Sequence, residues 1–217
     1  MSWADPVAHP LGESAITISF TADTSKDATE RIRRIGAIIR SSAIPHTEEV
    51  VAAYTSFTVF YDSLHVSYER LSREILGRCA RVDSAGETPV GREHRIPVEY
   101  RGPDLDNVAS AVGLTAEAVI EIHSARWYSV DLLGFVPGWA FMSELDERLE
   151  LPRRPQPRPR VPAGSVAIAR RQTGIYPFDT PGGWHIIGHT TVTLFDPKRK
   201  EPSLFRAGDR VKFEPAP

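Results

Sequence analysis

The sequence predicts an α+β fold in two parts, a small α+β sandwich followed by a β-barrel. In the N-terminal part, apolar residues recur every second residue in some runs and every three to four residues in others, as in strands and amphipathic helices. The rest of the chain contains most of the 18 prolines, which interrupt helices and suit the tight corners of a barrel. Because 41% of the 217 residues are hydrophobic, each part can bury a core of its own.

The N-terminal part is predicted to form a βαββα unit. Residues 15–20 alternate in polarity and are β-branched, which indicates a half-buried strand. Residues 26–40 place isoleucines at helical spacing and leave arginines for the opposite face. Residues 50–54 and 57–61 are short β-rich runs with a tight connection, which predicts an antiparallel pair, and residues 68–79 return to helical spacing.

A turn-rich segment with few apolar residues, 84–92, predicts a linker between two domains. It separates an N-terminal α+β domain, residues 1–83, from a β-barrel domain, residues 93–217. Within the barrel domain we expect two helices, near residues 104–112 and 115–125, among short strands.

One segment of the barrel domain is rich in proline and arginine. Residues 152–162 contain five prolines and four arginines, so we expect them to run extended, as a strap outside the core. Guanidinium groups could bind a carboxylate or a phosphate through paired hydrogen bonds. Runs of exposed arginines more often face solvent or another protein, and a contact surface for a partner subunit is the favoured interpretation. The arginines of this strap are Arg153, Arg154, Arg158 and Arg160.

Composition and charge argue against several classes of protein. The chain carries 26 Lys+Arg against 28 Asp+Glu, a net charge of -2, so nucleic acid is not an expected partner. The single cysteine, Cys79, cannot form an internal disulfide, and no Cys/His cluster has the spacing of a metal site. No apolar run is long enough to span a bilayer and no signal peptide is visible. We therefore expect a cytoplasmic protein without a metal site or a membrane partner.

Several motifs follow one another in the second half of the chain. The longer ones are residues 134–141 (GFVPGWAF), 151–154 (LPRR), 162–169 (PAGSVAIA), 172–177 (QTGIYP), 181–184 (PGGW) and 187–190 (IGHT). Together with shorter matches near both ends, this ordered set resembles the carboxyltransferase C and D subdomain family. That family includes the B subunit of bacterial ATP-dependent 5-oxoprolinase, proteins known as allophanate hydrolase subunit 1, and KipI-like inhibitors of a histidine kinase.

The resemblance implies both an architecture and a function. The implied fold is an N-terminal α+β domain followed by a cyclophilin-like β-barrel. The implied function is the smaller subunit of a two-subunit hydrolase of the 5-oxoprolinase or allophanate hydrolase type, which cleaves a non-peptide C–N bond in a small cyclic or ureido amide. The alternative is a KipI-like protein that binds and inhibits a histidine kinase without catalysis.

The resemblance also implies a partner and a cofactor. The partner is a larger subunit of the carboxyltransferase A and B subdomain type, without which the chain is not expected to be active. The resemblance likewise implies that ATP is the cofactor of the two-subunit enzyme. The sequence contains no Walker-type phosphate loop, so we expect the main contacts with ATP to lie outside this chain.

Three residues are candidates for catalysis, namely His123, Gln172 and Thr173. The family motif carries a histidine at position 123, and an imidazole with a pKa near 6.5 can relay a proton when an amide nitrogen leaves. The alternative for His123 is a structural side chain with its hydrogen bonds satisfied. The amide of Gln172 and the hydroxyl of Thr173 could orient a planar amide substrate.

A second group of residues is expected to bind the substrate through backbone N–H groups, an aromatic wall or a guanidinium group. For the glycines the alternative is that a turn requires them, and for Trp184 the alternative is core packing. This group contains Phe135, Pro137, Gly138, Gly164, Ser165, Gly174, Tyr176, Gly183, Trp184 and Arg154.

The chain departs from the family pattern at several positions. Trp139 and Phe141 stand where phenylalanine and tyrosine are usual, so an aromatic wall is kept and a hydroxyl is lost. Arg170 and Arg171 replace small residues and are expected to add bulk and charge beside the pocket. His189 replaces an arginine and keeps a possible cation without the paired donors of a guanidinium group.

Overall fold

The computed structural model describes residues 5–20, 25–81 and 91–217. The chain divides into two compact units, residues 1–89 and 90–217, which we call unit 1 and unit 2. The predicted linker, 84–92, falls largely on residues outside the described ranges, so the predicted domain limits stay a prediction.

Unit 1 is an antiparallel sheet covered by two helices. Within the described residues its strand order is β1-β2-β4-β3, and its core joins apolar side chains of the strands and both helices. Serine side chains accept hydrogen bonds from the first turns of the helices, Ser25 from the Ala28 N–H and Ser67 from the Arg70 N–H. The elements are β1 (Val7–Pro10), β2 (Ala15–Ser19), α1 (Lys26–Ser41), β3 (Thr47–Ala52), β4 (Ser56–Tyr61) and α2 (Tyr68–Cys79).

The α+β character of unit 1 is confirmed, with one strand more than the sequence predicted. Strand β1 pairs antiparallel with β2 at the edge of the sheet. The sequence prediction lacked it because a run of four residues that ends in Pro10 and stays largely exposed shows no clear alternation. The order is therefore ββαββα.

Unit 2 is a nearly closed barrel with two helices. Its described residues form a sheet of seven strands in the order β12-β9-β10-β7-β6-β13-β5, and a separate pair, β8 and β11. Glu99 and His189 exchange backbone hydrogen bonds of 2.9 Å, which link the two edges of the large sheet. The elements are β5 (Glu93–Val98), α3 (Leu105–Val112), α4 (Ala116–Ala125), β6 (Tyr128–Leu133), β7 (Ala140–Ser143), a 3-10 turn (Glu147–Leu149), β8 (Arg158–Val161), β9 (Ser165–Ala169), β10 (Gln172–Ile175), β11 (Thr180–Gly182), β12 (His185–His189) and β13 (Arg210–Pro215).

The barrel sheet is buried on both faces. Along β9, Val166 and Ile168 belong to the inner core with apolar residues of α3 and α4. The alternate residues Ala167 and Ala169 belong to an outer cluster that is rich in aromatic side chains. Successive side chains of a strand point to opposite faces, so this wall separates two environments. The outer cluster consists of Trp139, Val161, Ala167, Ala169, Tyr176, Trp184 and Ile186.

The predicted strap lies against the outer cluster. Its last part forms β8, which pairs with β11, and Val161 in that strand is completely buried. The prediction that the strap stays outside the core was therefore wrong at its C-terminal end. The pairing partner, β11, begins at Thr180, far from the strap in sequence, so no local pattern indicated it.

Candidate functional site

A cleft with aromatic walls lies on the outer face of the barrel sheet of unit 2. Its volume is about 190 Å³, which suits a small metabolite better than a nucleotide. Apart from one arginine, its lining is aromatic, proline or glycine. The cleft is lined by Phe135, Trp139, Phe141, Arg153, Pro157, Tyr176, Pro181, Gly182, Gly183 and Trp184.

Trp139 is the central wall of the cleft. Four rings meet it close to edge-on, with centroid distances of 5.7 Å to Phe135, 5.7 Å to Phe141, 4.7 Å to Tyr176 and 5.1 Å to Trp184. This geometry suits the opposite charges of ring edges and faces. Trp139 itself is 1% exposed, so its ring is held rigidly.

Gly174 lets Trp139 approach the barrel sheet. A Cβ atom at Gly174 would lie 2.9 Å from Cζ2 of Trp139, a contact too short for a side chain. Gly174 was predicted to bind substrate, but it does not line the cleft. Its position supports a packing role beneath the wall.

Phe135 stands at the mouth of the cleft. It is 64% exposed and has a φ of +67°, a left-handed conformation that is uncommon for a bulky residue. The surrounding turn is closed by hydrogen bonds from Val136 N–H to Gly134 O at 2.8 Å and from Trp139 N–H to Val136 O at 3.1 Å. Pro137 and Gly138, which were predicted to bind substrate, shape this turn without lining the cleft.

Asp104 anchors the strap beside the cleft. Its side chain is 1% exposed and accepts hydrogen bonds from Arg154 at 2.8 Å, from Arg158 at 2.7 and 2.8 Å, and from the Ile186 N–H at 2.8 Å. Burial opposes ionisation of Asp104, but the hydrogen bonds from Arg158 and Ile186 and the charges of both arginines outweigh it and lower its pKa. The strap is therefore fixed by a buried ionic cluster.

This cluster argues against Arg154 as a substrate ligand, because its guanidinium group is already paired with Asp104. The neighbouring Arg153 lines the cleft, is exposed and makes no ion pair or hydrogen bond within the described residues. Arg158 pairs with Asp104 and Arg160 with Asp179. Arg153 is thus the strap cation that remains available to a ligand.

One wall of the cleft carries a buried polar atom without a partner. In the described part of unit 2, the side-chain atoms of this kind are Nε1 of Trp139, Nε of Arg154 and Oγ1 of Thr180. Trp139 lines the cleft, and the other two residues directly adjoin the lining residues Arg153 and Pro181 in sequence. Such atoms are rare in folded proteins and often mark the place of a bound water or ligand.

His123 is buried on the other side of the barrel wall. Its Nδ1 lies 2.7 Å from the Tyr100 hydroxyl and its Nε2 lies 2.8 Å from the Thr173 hydroxyl. Thr173 Oγ1 also donates to the Ala167 carbonyl at 3.3 Å. With Tyr100 donating to Nδ1 and Nε2–H donating to Thr173, every polar group in this series of hydrogen bonds has a partner. The imidazole ring packs on Tyr128 and Phe213 of the inner core.

The structure therefore joins two of the predicted catalytic residues, His123 and Thr173, but separates them from the cleft. Thr173 faces the inner core, whereas the next residue, Gly174, faces Trp139. His123 has an exposed fraction of 0%, and burial lowers its pKa to about 3, so the ring is neutral near pH 7. Direct proton transfer by His123 to a substrate stays a prediction, which this burial does not support.

Comparison with known proteins identifies the family. Residues 6–205 match the family described as carboxyltransferase domain, subdomain C and D. The chain belongs to this family. The resemblance that the motifs predicted is confirmed over almost the whole sequence.

Similar proteins support this membership of the carboxyltransferase C/D family. The chain is 41% identical to the B subunit of 5-oxoprolinase from Bacillus subtilis (strain 168), covering 94% of this chain and 90% of that protein. A solved structure of a protein named TTHA0988 is 39% identical with a TM-score of 0.82; the match covers 94% of this chain and 40% of that longer chain. The urea amidolyase of K. lactis, at 16% identity and a TM-score of 0.76, shares the fold over 97% of this chain and 15% of its own. The predicted fold class is confirmed.

Other predicted site residues of this carboxyltransferase C/D chain lie away from the cleft. Gly164 has a φ of +80°, and a Cβ there would lie 2.2 Å from Thr190 O, so the backbone approach requires glycine. Ser165 is buried at the start of β9. Gln172, at the start of β10, does not line the cleft. Phe135, Tyr176, Gly183 and Trp184 are the predicted substrate ligands that do line it.

The departures from the family pattern affect the cleft unequally. Phe141 lines the cleft, so phenylalanine in place of the usual tyrosine removes a hydroxyl group from its wall. Arg170 and Arg171 occupy the turn between β9 and β10 with exposed side chains and do not line the cleft. His189 is exposed, and its Nε2 lies 3.1 Å from Ala163 O, also outside the cleft. Because both arginines are exposed and absent from the lining, the cleft gives no support to the expectation that they add bulk and charge beside the pocket, which stays a prediction.

Neither a metal-binding cluster nor a membrane-spanning helix is found among the described residues of the carboxyltransferase C/D chain. No group of three or more His, Cys, Asp or Glu side chains among them is arranged to hold a metal ion. No helix among them is long and apolar enough to cross a membrane.

The buried His123 predicts a pH dependence of stability for this family member. Its pKa is about 3 in the folded protein against 6.5 for an ordinary histidine, so between these values only the unfolded state takes up the proton. The stabilisation is complete above about pH 6.5 and is lost as the pH falls toward 3. As the pH falls through this range, we expect the free energy of unfolding in urea to decrease more steeply for the wild type than for His123→Gln. The difference in slope should reach about 1.4 kcal/mol per pH unit. Parallel pH profiles of the two proteins would contradict a buried neutral imidazole.

Proposed function

We propose that the chain is the smaller subunit of a two-subunit, ATP-dependent amide hydrolase, that the substrate is 5-oxoproline, and that the aromatic cleft binds it. The observation that carries this proposal is the unpaired Arg153 beside a rigid aromatic wall. Three similar proteins are named as B subunits of 5-oxoprolinase, which supports the choice of substrate.

The chemistry of the cleft fits that substrate class. 5-Oxoproline is a small five-membered lactam with one carboxylate, so it needs a flat apolar surface and one cation. The edges and faces of Trp139, Tyr176 and Trp184 offer such a surface, and Arg153 offers paired donors at the rim. A volume of about 190 Å³ is sufficient for a ligand of this size.

The cleft does not fit ATP. Its volume of about 190 Å³ lies below the roughly 300 to 1,000 Å³ of pockets for larger ligands, and Arg153 is the sole cation in its lining. A triphosphate requires several donors or a metal ion. We therefore assign nucleotide binding to the partner, a larger subunit of the carboxyltransferase A and B subdomain type.

Within this proposal His123 is a positioning residue. It holds Thr173 on the inner face of β10, and the next residues, Gly174 and Tyr176, carry the outer wall of the cleft. An error in the register of β10 would displace Tyr176 and the ring of Trp139 together. The proton that the leaving nitrogen needs then comes from the larger subunit or from water.

Arg153→Ala is expected to raise the KM for 5-oxoproline roughly tenfold in the complex with the larger subunit. An arginine–carboxylate hydrogen bond contributes about 1.5 to 3 kcal/mol, and the exposure of Arg153 favours the lower value. The measurement is ATP hydrolysis that depends on 5-oxoproline. Arg160→Ala is the matched control, since Arg160 lies on the same strap, pairs with Asp179 and does not line the cleft.

Two outcomes would contradict parts of this proposal. If an intact complex turns over neither 5-oxoproline nor allophanate, the assignment as a hydrolase subunit is wrong. If Arg153→Ala leaves KM unchanged and both arginine variants weaken assembly of the complex, the strap arginines contact the larger subunit instead of the substrate.

A further inference from the structure

We propose that the indole N–H of Trp139 recognises the ring carbonyl oxygen of the ligand, which makes Trp139 a specificity-determining residue of the cleft. This inference rests on the proposed function, because it takes the aromatic cleft as the substrate site. It adds the chemical feature by which the site would distinguish a cyclic amide from other small carboxylates.

The indole of Trp139 carries an unpaired hydrogen-bond donor. Trp139 is 1% exposed and lines the cleft, yet its Nε1 has no hydrogen-bond partner among the described residues. A buried N–H without an acceptor is unfavourable, and folded proteins leave few of them. A ligand in the cleft whose acceptor reaches Nε1 removes that penalty.

The rings around Trp139 offer little alternative. Of Phe135, Phe141, Tyr176 and Trp184, only Tyr176 has an oxygen atom. Burial raises the pKa of the Tyr176 phenol, an effect that the backbone of Trp184 partly opposes, and the phenol oxygen forms no hydrogen bond with the indole N–H. The acceptor for the indole is therefore expected from the ligand.

The nature of the donor defines the class of ligand. An indole N–H only donates and carries no charge, so it can pair with a neutral acceptor such as a carbonyl oxygen, while the anionic group of the same ligand is left to a cation. Arg153, at the exposed side of the lining, favours an anion. Together these two groups select a cyclic monocarboxylate that also carries a ring carbonyl.

Two carbocyclic analogues test the carbonyl contact without turnover. In 3-oxocyclopentanecarboxylate a CH2 group replaces the lactam nitrogen, and cyclopentanecarboxylate also lacks the carbonyl oxygen. Titration calorimetry on the wild-type complex with the larger subunit is expected to show about 3- to 10-fold tighter binding of the oxo analogue. In Trp139→Phe this advantage is expected to vanish.

Two further variants show whether the N–H donor of Trp139 or the shape of its ring is responsible for this advantage. Incorporation of 3-benzothienylalanine at position 139 keeps a bicyclic ring and replaces the N–H by sulfur, so it should also abolish the advantage. Trp184→Phe makes the same kind of truncation on another wall of the cleft. It should weaken both analogues by a similar factor and leave their ratio unchanged.

The outcomes distinguish this inference from the proposed function. If 5-oxoproline and the oxo analogue bind the wild-type complex but both proteins altered at position 139 keep the full advantage of the carbonyl, the role of Trp139 is overturned and the proposed function stands. If neither compound binds the wild-type complex, both are overturned.

Discussion

His123→Ala is expected to destabilise unit 2 by about 4 kcal/mol or more. The substitution empties a fully buried site and leaves the hydroxyls of Tyr100 and Thr173 without their partner. A cavity of this kind costs about 2 to 5 kcal/mol and the unpaired Tyr100 hydroxyl about 1 to 3 kcal/mol, whereas the Thr173 hydroxyl keeps its hydrogen bond to Ala167. Because small domains are stable by only about 5 to 15 kcal/mol, urea unfolding followed by tryptophan fluorescence should detect a large loss.

A double-mutant cycle tests whether hydrogen bonds carry this effect. In the wild type, Thr173→Val leaves the imidazole Nε2 unpaired and should cost about 1 to 3 kcal/mol. In His123→Phe the Thr173 hydroxyl has already lost this partner, so the same substitution should cost little. Equal costs in both backgrounds would contradict the network.

Kinetics of His123→Gln separate the two roles considered for the imidazole. If His123 positions the cleft, His123→Gln should raise KM with a smaller change in kcat, because the shape of the cleft changes while the reacting groups remain. A proton relay predicts a loss of kcat at unchanged KM. A folded variant with that second pattern would restore the catalytic role that the motif suggested.

Asp104→Asn is expected to destabilise unit 2 by about 3 kcal/mol. The change removes the counter-charge of Arg154 and Arg158, and breaking a buried ion pair on one side costs about 3 to 5 kcal/mol. The side chains of the two arginines are 30% and 24% exposed, so water offsets part of this loss. Because the same strap carries Arg153, the KM for 5-oxoproline should rise as well.

Asp106→Asn is the matched control for that substitution. Asp106 lies in the first turn of α3, the helix that Asp104 directly precedes, and its side chain is exposed, so its loss should cost below about 1 kcal/mol. Thermal and urea unfolding of the two variants give the comparison. A variant of Asp104 as stable as that of Asp106 would show that the ionic cluster does not hold the strap.

Much of the fold could be predicted because its signals are local. Helix α2 occupies residues 68–79 as its periodicity indicated, and Ser67 caps it. Closure of the barrel could not be predicted in the same way, since Glu99 and His189 are far apart in sequence and no periodicity links them. Strand β1 was too short to show a period.

The candidate site was predicted in part for similar reasons. Motif residues such as Tyr176 and Trp184 do line the cleft, because the motif and the cleft coincide on β10 to β12. The sequence named Arg154 as a substrate ligand, whereas Arg154 pairs with Asp104 and Arg153 lines the cleft, because neighbouring side chains of an extended strap point to opposite sides. The partners of His123 come from distant segments, which the sequence does not connect.

A barrel wall buried on both faces restricts how this protein can acquire a new specificity. A substitution at Thr173 perturbs the inner core, and one at Gly174 collides with Trp139, so β10 has little freedom to change. Phe135 and Arg153 are exposed and lie on a turn and a strap, where new side chains disturb neither core. Divergence of substrate preference, whether natural or by directed evolution, should therefore accumulate at those two positions while β10 stays nearly invariant.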